Sequence, residues 1–274
     1  MTEVLRYAAF TDTPTGGNPA GVVLDAAGLS DAEMLKIAAD VGYSETAFVD
    51  GDDIRYFSPL AEVPFCGHAT IATGVAIAER RGAGQLAFNT RSGGVPVLTR
   101  RDDQGRVTAT LTSVPPRVEP LDDADLDELL AALDWAAGDL DPALPPRVGY
   151  AGAFHPVLGA STRERLAALD YDFDRLGALM AARDWTTVQL VWREAEDRFH
   201  SRNPFPPGGV VEDPATGAAA AALGAYLREE GLVTPPATIT ILQGQDLGRP
   251  GRLLVDIHAD RPGIDVTGAA VRIT

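Results

Sequence analysis

The chain has 274 residues, of which 45% are hydrophobic, with a net charge of −16 and one cysteine. A protein this acidic lacks the basic face that attracts nucleic acids and anionic membranes, so we expect neither as a partner. No apolar run is long enough to cross a bilayer, no signal-peptide pattern follows Met1, and a lone cysteine excludes an internal disulfide, which together predict a cytoplasmic protein.

Scarce residue types argue against several kinds of cofactor chemistry. Lys36 is the only lysine and belongs to a surface-type amphipathic helix, so pyridoxal phosphate has almost no candidate for a Schiff base. No P-loop or GxGxxG motif follows a strand, and four histidines lie too far apart for a short-range metal motif: His68, His155, His200 and His258. The composition therefore predicts that the protein uses no cofactor and no metal.

The chain begins with two strands and a capped helix. A strand over residues 4–10 leads through a glycine-rich turn to a second strand at 22–24, and Asn18 in that turn is either an ordinary turn residue or a functional one. Ser30 and Glu33 form a capping-box pattern, and the helix that they open is predicted to end at Gly42.

A strand over residues 44–49 follows, in which Glu45 shares a face with Ala47 and Val49. A glutamate on such a face either has a function in a buried site or lies solvated at the strand end. Further alternating strands are predicted at 54–57, 85–90, 94–100 and 107–111.

Residues 63–82 contain the helix around which we expect the chain to be organised. From Gly67 the residues are small or apolar until Glu79, and Gly82 marks the predicted end of a buried helix. Its first turn, Gly67-His68-Ala69-Thr70, carries little side-chain bulk, so an anion could approach the free N–H groups and the positive end of the helix dipole. A small carboxylate would fit this position.

The same pattern occurs a second time, over residues 211–231. Aligning Gly67 with Gly217 also aligns Gly74 with Gly224, so both helices carry a glycine two turns from the start, on the same face. Such a position suits close packing against a neighbour. The alternative is that two alanine-rich buried helices resemble each other by chance.

Pro115, Pro116 and Pro120 mark the clearest linker, because proline interrupts both helices and strand ladders. We therefore predict two domains, residues 1–115 and 116–274, and in each of them strands lead into one buried helix. The second domain is predicted to contain helices at 124–133 and 173–183, a capping box from Ser161 to Glu164, and strands at 147–150, 155–159, 187–192, 199–203, 238–243, 252–258 and 266–273.

Several stretches carry a resemblance to a known family. They are Gly17-Asn18-Pro19-Ala20-Gly21-Val22-Val23, Ser44-Glu45-Thr46-Ala47-Phe48, Phe65-Cys66-Gly67-His68-Ala69-Thr70, Glu212-Asp213-Pro214-Ala215-Thr216-Gly217, and Gln243-Gly244 with Gly248-Arg249-Pro250. In this order they resemble the PhzF-like family, which is related in fold to diaminopimelate epimerase.

The resemblance implies an α+β fold of two similar domains, each a curved mixed β-sheet or barrel wrapped around one central helix. It places the active site in the cleft between the domains, allows the halves to exchange a terminal strand, and implies a homodimer. It also implies a cofactor-independent isomerase in which Glu45 transfers a proton, with His68 and Asp213 beside it. The implied substrate-binding positions are Asn18, Gly67, Ala69, Thr216, Gly217 and Ala218.

Two features depart from the family's pattern. The family often has a serine directly after Asp-Pro-Ala-Thr-Gly, whereas this chain has Ala218, which puts identity with the phenazine-pathway substrate in doubt. The epimerase branch of the fold uses one cysteine at each helix end as base and acid. Only Cys66 is present here, so counting excludes a two-thiol racemase.

These observations predict an isomerase that transfers a proton on a small cyclic or unsaturated carboxylic acid. The alternative is a non-catalytic or moonlighting member of the family that binds a metabolite or a protein through the same cleft. His68 either relays or donates a proton or is packed at a domain interface. Asp213 either pairs with a partner such as His68, holds a proton in the closed cleft, or caps the second helix through N–H groups near Ala215 and Thr216.

Overall fold

The computed structural model describes residues 2–274 as a mixed α+β protein. Its helices are α1 (Asp31–Val41), α2 (Gly67–Arg81), α3 (Asp123–Leu133), α4 (Arg163–Ala167), α5 (Phe173–Arg183) and α6 (Gly217–Glu229). Its strands are β1 (Leu5–Ala9), β2 (Asn18–Val23), β3 (Glu45–Asp50), β4 (Asp53–Phe57), β5 (Glu62–Val63), β6 (Gln85–Thr90), β7 (Gly93–Arg101), β8 (Val107–Thr112), β9 (Arg117–Pro120), β10 (Arg147–Tyr150), β11 (Phe154–Gly159), β12 (Gln189–Ala195), β13 (Arg198–Phe205), β14 (Val210–Asp213), β15 (Ala237–Gln243), β16 (Gly251–Ile257) and β17 (Ile264–Arg272).

The strands of the first part close into a barrel around α2. β1, β2, β3, β4, β6, β7, β8 and β17 pair in that order, and β17 pairs again with β1, so the ring has no free edge. Helix α2 is buried from Gly67 to Ala78 and packs against β2, β8 and β17.

A second run of paired strands packs against α6. It passes from β9 through β10, β11, β12, β13, β15 and β16 to β17. Helix α6 lies against β10, β16 and β17. Strand β17 therefore pairs in both runs of strands, and an exchange of a terminal strand between two domains stays a prediction. The division into domains 1–115 and 116–274 stays a prediction.

Glycine lets both central helices approach their sheets closely. A Cβ atom on Gly74 would lie 3.1 Å from Val97 Cγ1, and one on Gly224 would lie 2.8 Å from Val255 Cγ1 and 3.0 Å from Ile264 Cγ2. The predicted matching glycines thus occupy matching close-packed positions. Alanine elsewhere in these helices allows the same approach, because its side chain adds only one carbon.

Most local predictions are confirmed. Ser30 and Glu33 form the complete capping box of α1, and Gly42 ends that helix with φ of 73°. Helix α5 has the predicted bounds, Phe173–Arg183. Asn18, placed by sequence in a turn, is instead the first residue of β2.

Two predictions in the middle of the chain are wrong. Residues 117–120, expected as linker, form β9 against β10; Pro120 is tolerated because β9 is an edge strand, where a missing N–H breaks no second ladder. The predicted capping box from Ser161 to Glu164 is displaced by one residue. Thr162 is the N-cap of α4, and its hydroxyl accepts the Arg165 N–H at 3.0 Å.

Among residues 2–274, none of the helices is both long and apolar enough to cross a membrane.

We predict that Gly224→Ala lowers the free energy of unfolding, measured by chemical denaturation. Overpacking against Val255 and Ile264 costs about 1–3 kcal/mol, which outweighs the roughly 1 kcal/mol that alanine gains over glycine inside a helix. Gly138→Ala is the matched control, because a Cβ on the exposed Gly138 meets no atom within 4 Å. If the two variants were equally stable, the strands that face Gly224 would have to move apart enough to accept the added methyl group without a loss of stability.

Candidate active site

The starts of α2 and α6 meet at two glycines. A Cβ built on Gly67 would lie 3.5 Å from the Cα of Gly217 and 3.6 Å from the backbone nitrogen of Ala218. Within residues 2–274, the side chains of the N-cap residues, Cys66 and Thr216, cap no backbone N–H group of their own helices. Two positive helix ends are therefore held side by side without side-chain caps, an arrangement that attracts an anion.

A cavity of about 70 Å³ opens at this meeting point. Seven of the nine residues predicted from the sequence line it: Glu45, Gly67, His68, Asp213, Thr216, Gly217 and Ala218. Asn18 and Ala69 are buried beside it rather than in its lining. The cavity therefore combines backbone N–H groups, two buried carboxyl groups and an imidazole.

Glu45 lies at the start of β3 and faces the beginning of α2. Its Oε2 atom is 3.3 Å from His68 Nε2 and accepts the Cys66 thiol at 3.6 Å. Only 8% of Glu45 is exposed, so the solvated alternative for this residue is wrong. Because β3 pairs with β2 in parallel register, Ala20 opposite Glu45, the carboxyl group is fixed to a rigid sheet rather than to a loop.

Asn18 joins the two halves of the site. Its Nδ2 group lies 2.7 Å from Asp213 Oδ1, 3.1 Å from the Ala215 carbonyl oxygen and 3.1 Å from His68 Nδ1. Because the first two atoms are acceptors, they assign this end of the amide as nitrogen. The Asn18 NH2 group has two hydrogens for these three atoms and no lone pair to accept a ring N–H, so the hydrogen of a neutral His68 ring is placed on Nε2, which faces Glu45.

Asp213 is held by side chains. Oδ1 accepts from Asn18, and Oδ2 accepts the Thr216 hydroxyl at 2.6 Å. Thr216 is oriented in turn by Gln243, whose Oε1 accepts the Thr216 backbone N–H at 3.1 Å. The alternative in which Asp213 only caps α6 through backbone N–H groups is therefore wrong.

Burial changes the acidity of two groups in the site. It raises the pKa of Asp213 to about 6; His68 lowers that pKa and Glu45 raises it further, both more weakly than burial does. Burial, followed by the charge of Glu45, raises the pKa of the Cys66 thiol well above its ordinary value. Cys66 is thus a protonated thiol at neutral pH, and Asp213 can change protonation state near neutrality.

The donor atoms of Glu45, Cys66 and His68 lie within 4.8 Å of one another, a set that could ligate a metal ion. A metal-bound histidine directs a bare nitrogen to the metal and donates its other N–H to an acceptor. His68 has the reverse arrangement, because Nδ1 faces the Asn18 donor, and Cys66 holds its proton. The hydrogen bonds therefore suit proton transfer better than metal binding.

Sequence reasoning missed a polar group in the same cavity. His155 and Thr187 line it together with Phe65 and Phe205. Strands β11 and β12 pair in parallel with Val157 opposite Gln189, which brings His155 next to Thr187. The residues belong to no shared motif, and only this long-range pairing reveals them.

The arrangement defines a class of protein: a mixed α+β chain with a closed barrel and a buried acid site where two helices begin. A probable proline racemase from Agrobacterium radiobacter K84, determined with bound carbonate, has this fold, with a TM-score of 0.69 at 14% identity over 100% of this chain and 91% of its own. At that identity the likeness concerns the fold alone.

Matches of higher sequence identity show the family to which the chain belongs. The phenazine biosynthesis-like family (PhzC-PhzF) matches residues 7–274. A Bacillus anthracis phenazine biosynthesis protein of the PhzF family superposes with a TM-score of 0.88 at 28% identity, covering 100% of this chain and 97% of its own. The chain belongs to this family, as its sequence motifs indicate.

Named relatives are isomerases. Uncharacterized isomerase YfhB of Bacillus subtilis (strain 168) is 32% identical over 98% of this chain and 96% of its own length. Trans-2,3-dihydro-3-hydroxyanthranilate isomerase of Pseudomonas aeruginosa is 34% identical over 89% of this chain and 86% of its own. At the level of the family, the chain is an isomerase.

We predict that Asp213→Asn gains stability over the wild type as pH rises from 4 to 7. The folded-state pKa of Asp213, about 6, exceeds the ordinary value of 3.8, so the folded state binds the proton more tightly. Ionisation in this window therefore destabilises the wild type, by up to about 3 kcal/mol above pH 6, and has little effect below pH 4.

The measurement is the melting temperature of both proteins across this pH range. Asp52→Asn is the control, since it makes the same charge change at an exposed position. If the difference between Asp213→Asn and the wild type stays constant with pH, Asp213 is not held with a raised pKa.

Proposed function

We propose that this protein is a cofactor-independent isomerase that transfers a proton on a small cyclic or unsaturated carboxylic acid, with Glu45 as both base and acid. The observation that carries the proposal is the buried Glu45 carboxyl group in the cavity where α2 and α6 begin. The helix starts are an anion site, and Glu45 is a proton acceptor beside it. Removal of a proton next to a carboxyl group requires this combination.

The substrate carboxylate would bind the N–H groups of the first turns of both helices, at Gly67 and Ala69 on α2 and at Gly217 and Ala218 on α6. The positive helix ends favour its charge, and also the negative charge that develops on the neighbouring carbons when a proton leaves. Among the described residues, 2–274, no lysine or arginine lines this cavity. The backbone therefore supplies the positive potential.

Glu45 would take the proton and return it at another atom of the substrate. His68, with its Nε2 hydrogen toward Glu45, would stabilise the carboxylate and orient it. Asp213 and Thr216 would contact the substrate from the α6 side, and Asn18 would hold His68 and Asp213 in register.

A Pseudomonas aeruginosa relative is named trans-2,3-dihydro-3-hydroxyanthranilate isomerase, after a hydroxylated cyclic carboxylic acid. We propose the same broad class of substrate here. The particular compound is left open, because Ala218 lines the cavity where the family often has a serine, and alanine offers no hydroxyl contact. A cleft between two domains, a homodimer and a cytoplasmic location remain predictions of the sequence.

We predict that Glu45→Gln abolishes the exchange of solvent deuterium into bound carboxylic acids while leaving their affinity within about threefold. The amide keeps the shape of the side chain but cannot accept a proton, so chemistry is lost and binding is kept. Cys66→Ala is the companion variant. Because the Cys66 thiol holds its proton, this variant should lose far less exchange than Glu45→Gln does.

Mass spectrometry of acids incubated in deuterated buffer measures the exchange. Undiminished exchange in Glu45→Gln would remove Glu45 from the mechanism, and loss confined to Cys66→Ala would make the thiol the base. Acids that stabilise the wild type against melting but never exchange would favour the non-catalytic binding member instead.

We predict that Asp213→Asn lowers isomerase turnover by about a hundredfold or more, as expected when a carboxyl group that contacts the reacting substrate is lost, although the variant remains folded. The amide can still accept from Asn18 but cannot exchange a proton. Turnover and melting temperature are to be measured on the same preparation. Near-normal turnover would reduce Asp213 to a structural partner of Asn18 and Thr216.

A further inference from the structure

His155 is a buried polar residue for which the proposed proton transfer has no role. Its side chain is 0% exposed in β11, and it lines the same cavity as Glu45 and Asp213. Nδ1 lies 2.9 Å from Thr187 Oγ1, whereas Nε2 has no hydrogen-bond partner within residues 2–274. A buried polar atom left without a partner destabilises a protein by about 1–3 kcal/mol, so the unpartnered nitrogen of a residue that lines a cavity is a candidate contact for a ligand.

A chain of buried hydrogen bonds ends at this histidine. Ser201 Oγ donates to Asn203 Oδ1 at 2.9 Å, and Asn203 Nδ2 donates to Thr187 Oγ1 at 3.0 Å. The Thr187 oxygen accepts from the Asn203 amide through one lone pair, and in the direction that we assign to the chain its hydroxyl hydrogen is donated to His155 Nδ1. The chain then has one direction throughout, and the ring hydrogen belongs on Nε2.

His155 is also neutral at physiological pH. Burial lowers its pKa to about 4, and a hydrogen bond with the Thr187 backbone opposes this only in part. Nε2 is therefore an uncharged N–H donor. A neutral donor suits an uncharged oxygen better than a second carboxylate, which would need a full positive charge or several donors to offset its loss of hydration.

We propose that His155 Nε2–H donates a hydrogen bond to a second oxygen of the substrate, a hydroxyl or carbonyl apart from the carboxylate at the helix starts. This inference rests on the proposed function and narrows its substrate class to oxygenated carboxylic acids. His155 fixes the orientation of the acid in the cavity. Phe65 and Phe205 give that cavity apolar walls, against which the carbon skeleton of the acid lies.

Thr187 acts through His155. Its hydroxyl holds the imidazole in the tautomer that carries hydrogen on Nε2, so Thr187 is a positioning residue. Loss of this hydroxyl frees the ring to place its hydrogen on either nitrogen. The preference for a second oxygen should then weaken without disappearing.

The test compares matched carboxylic acids by calorimetric titration. The probes are benzoate with its three monohydroxy isomers, and anthranilate with 3-hydroxyanthranilate, so that members of each set differ by hydroxyl groups. In the wild type we expect at least one hydroxylated acid to bind about fivefold more tightly than its parent, as one neutral hydrogen bond predicts. His155→Phe should erase this gain and leave the Kd of the parent acid within about twofold.

Two further variants keep the result interpretable. Thr187→Val should retain only part of the gain in affinity from the hydroxyl group. If His155→Phe does not fold, Thr187→Val alone tests the proposal, and a full gain in that variant would overturn it. His200→Phe, at a histidine that contacts Gln245 rather than the cavity, should retain the gain. A gain that persists in folded His155→Phe, or that never appears in the wild type, overturns the proposal.

A spectroscopic measurement tests the donor directly. In nitrogen-15 correlation spectra, the His155 signals are identified by their loss in His155→Phe. We expect a neutral ring with hydrogen on Nε2 down to pH 5.5. Hydrogen on Nδ1, which would follow if the hydrogen-bond chain ran in the reverse direction, overturns the assignment of His155 as a donor.

Deuterium exchange into partly unsaturated cyclic carboxylic acids, which carry the acidic C–H that the aromatic probes lack, separates this inference from the proposed function. Binding and exchange without a preference for a hydroxyl group would overturn the role of His155 alone. If the preference for hydroxylated acids depends on His155 but no acid exchanges deuterium, the isomerase proposal is overturned and the role of His155 in binding a second oxygen is kept. If none of the acids binds, both are overturned.

Discussion

The contact between two helix starts, at Gly67 and Gly217, is the constraint on which the rest of the structure depends. A Cβ on Gly67 would be 3.5 Å from the opposing Cα, so the two backbones touch with almost nothing between them. This contact requires small residues in both first turns and brings two sets of free N–H groups to one place. The barrel around α2 and the sheet against α6 share β17, which ties the two helices into one framework.

The same contact explains how so acidic a protein can have an anion site. The net charge of −16 would repel a carboxylate, and Glu45 and Asp213 add carboxyl groups at the site itself. Local positive potential must therefore come from the backbone, and enclosure strengthens it because little water is present to screen it. Burial also keeps the pKa of Asp213 near 6, so this group need not carry a full charge when an anion binds.

Sequence reasoning succeeded where short-range patterns decide the structure. Composition marks α2 and α6, because alanine, glycine and threonine fill most of their buried positions, and caps such as Ser30 mark the ends of a surface helix. Sequence reasoning failed where a single residue sets the start of a helix, as Thr162 does for α4, and where a strand forms only by pairing with its neighbour, as β9 does. Motifs indicated Glu45, His68 and Asp213, but the grouping of His155 with Thr187 depends on strand pairing that no local pattern encodes.

The two N-cap positions explain why one base suits this site. Cys66 and Thr216 occupy equivalent places before Gly67 and Gly217, where a two-thiol racemase would carry its base and acid. Cys66 keeps its proton, and the Thr216 hydroxyl is committed to Asp213 at 2.6 Å, so neither is ready to accept a proton. Inversion at one carbon needs proton transfer on two faces. With Glu45 as the single proposed base, the proton returns on the face from which it left, so the reaction that fits this site moves a proton along the substrate rather than inverting a centre.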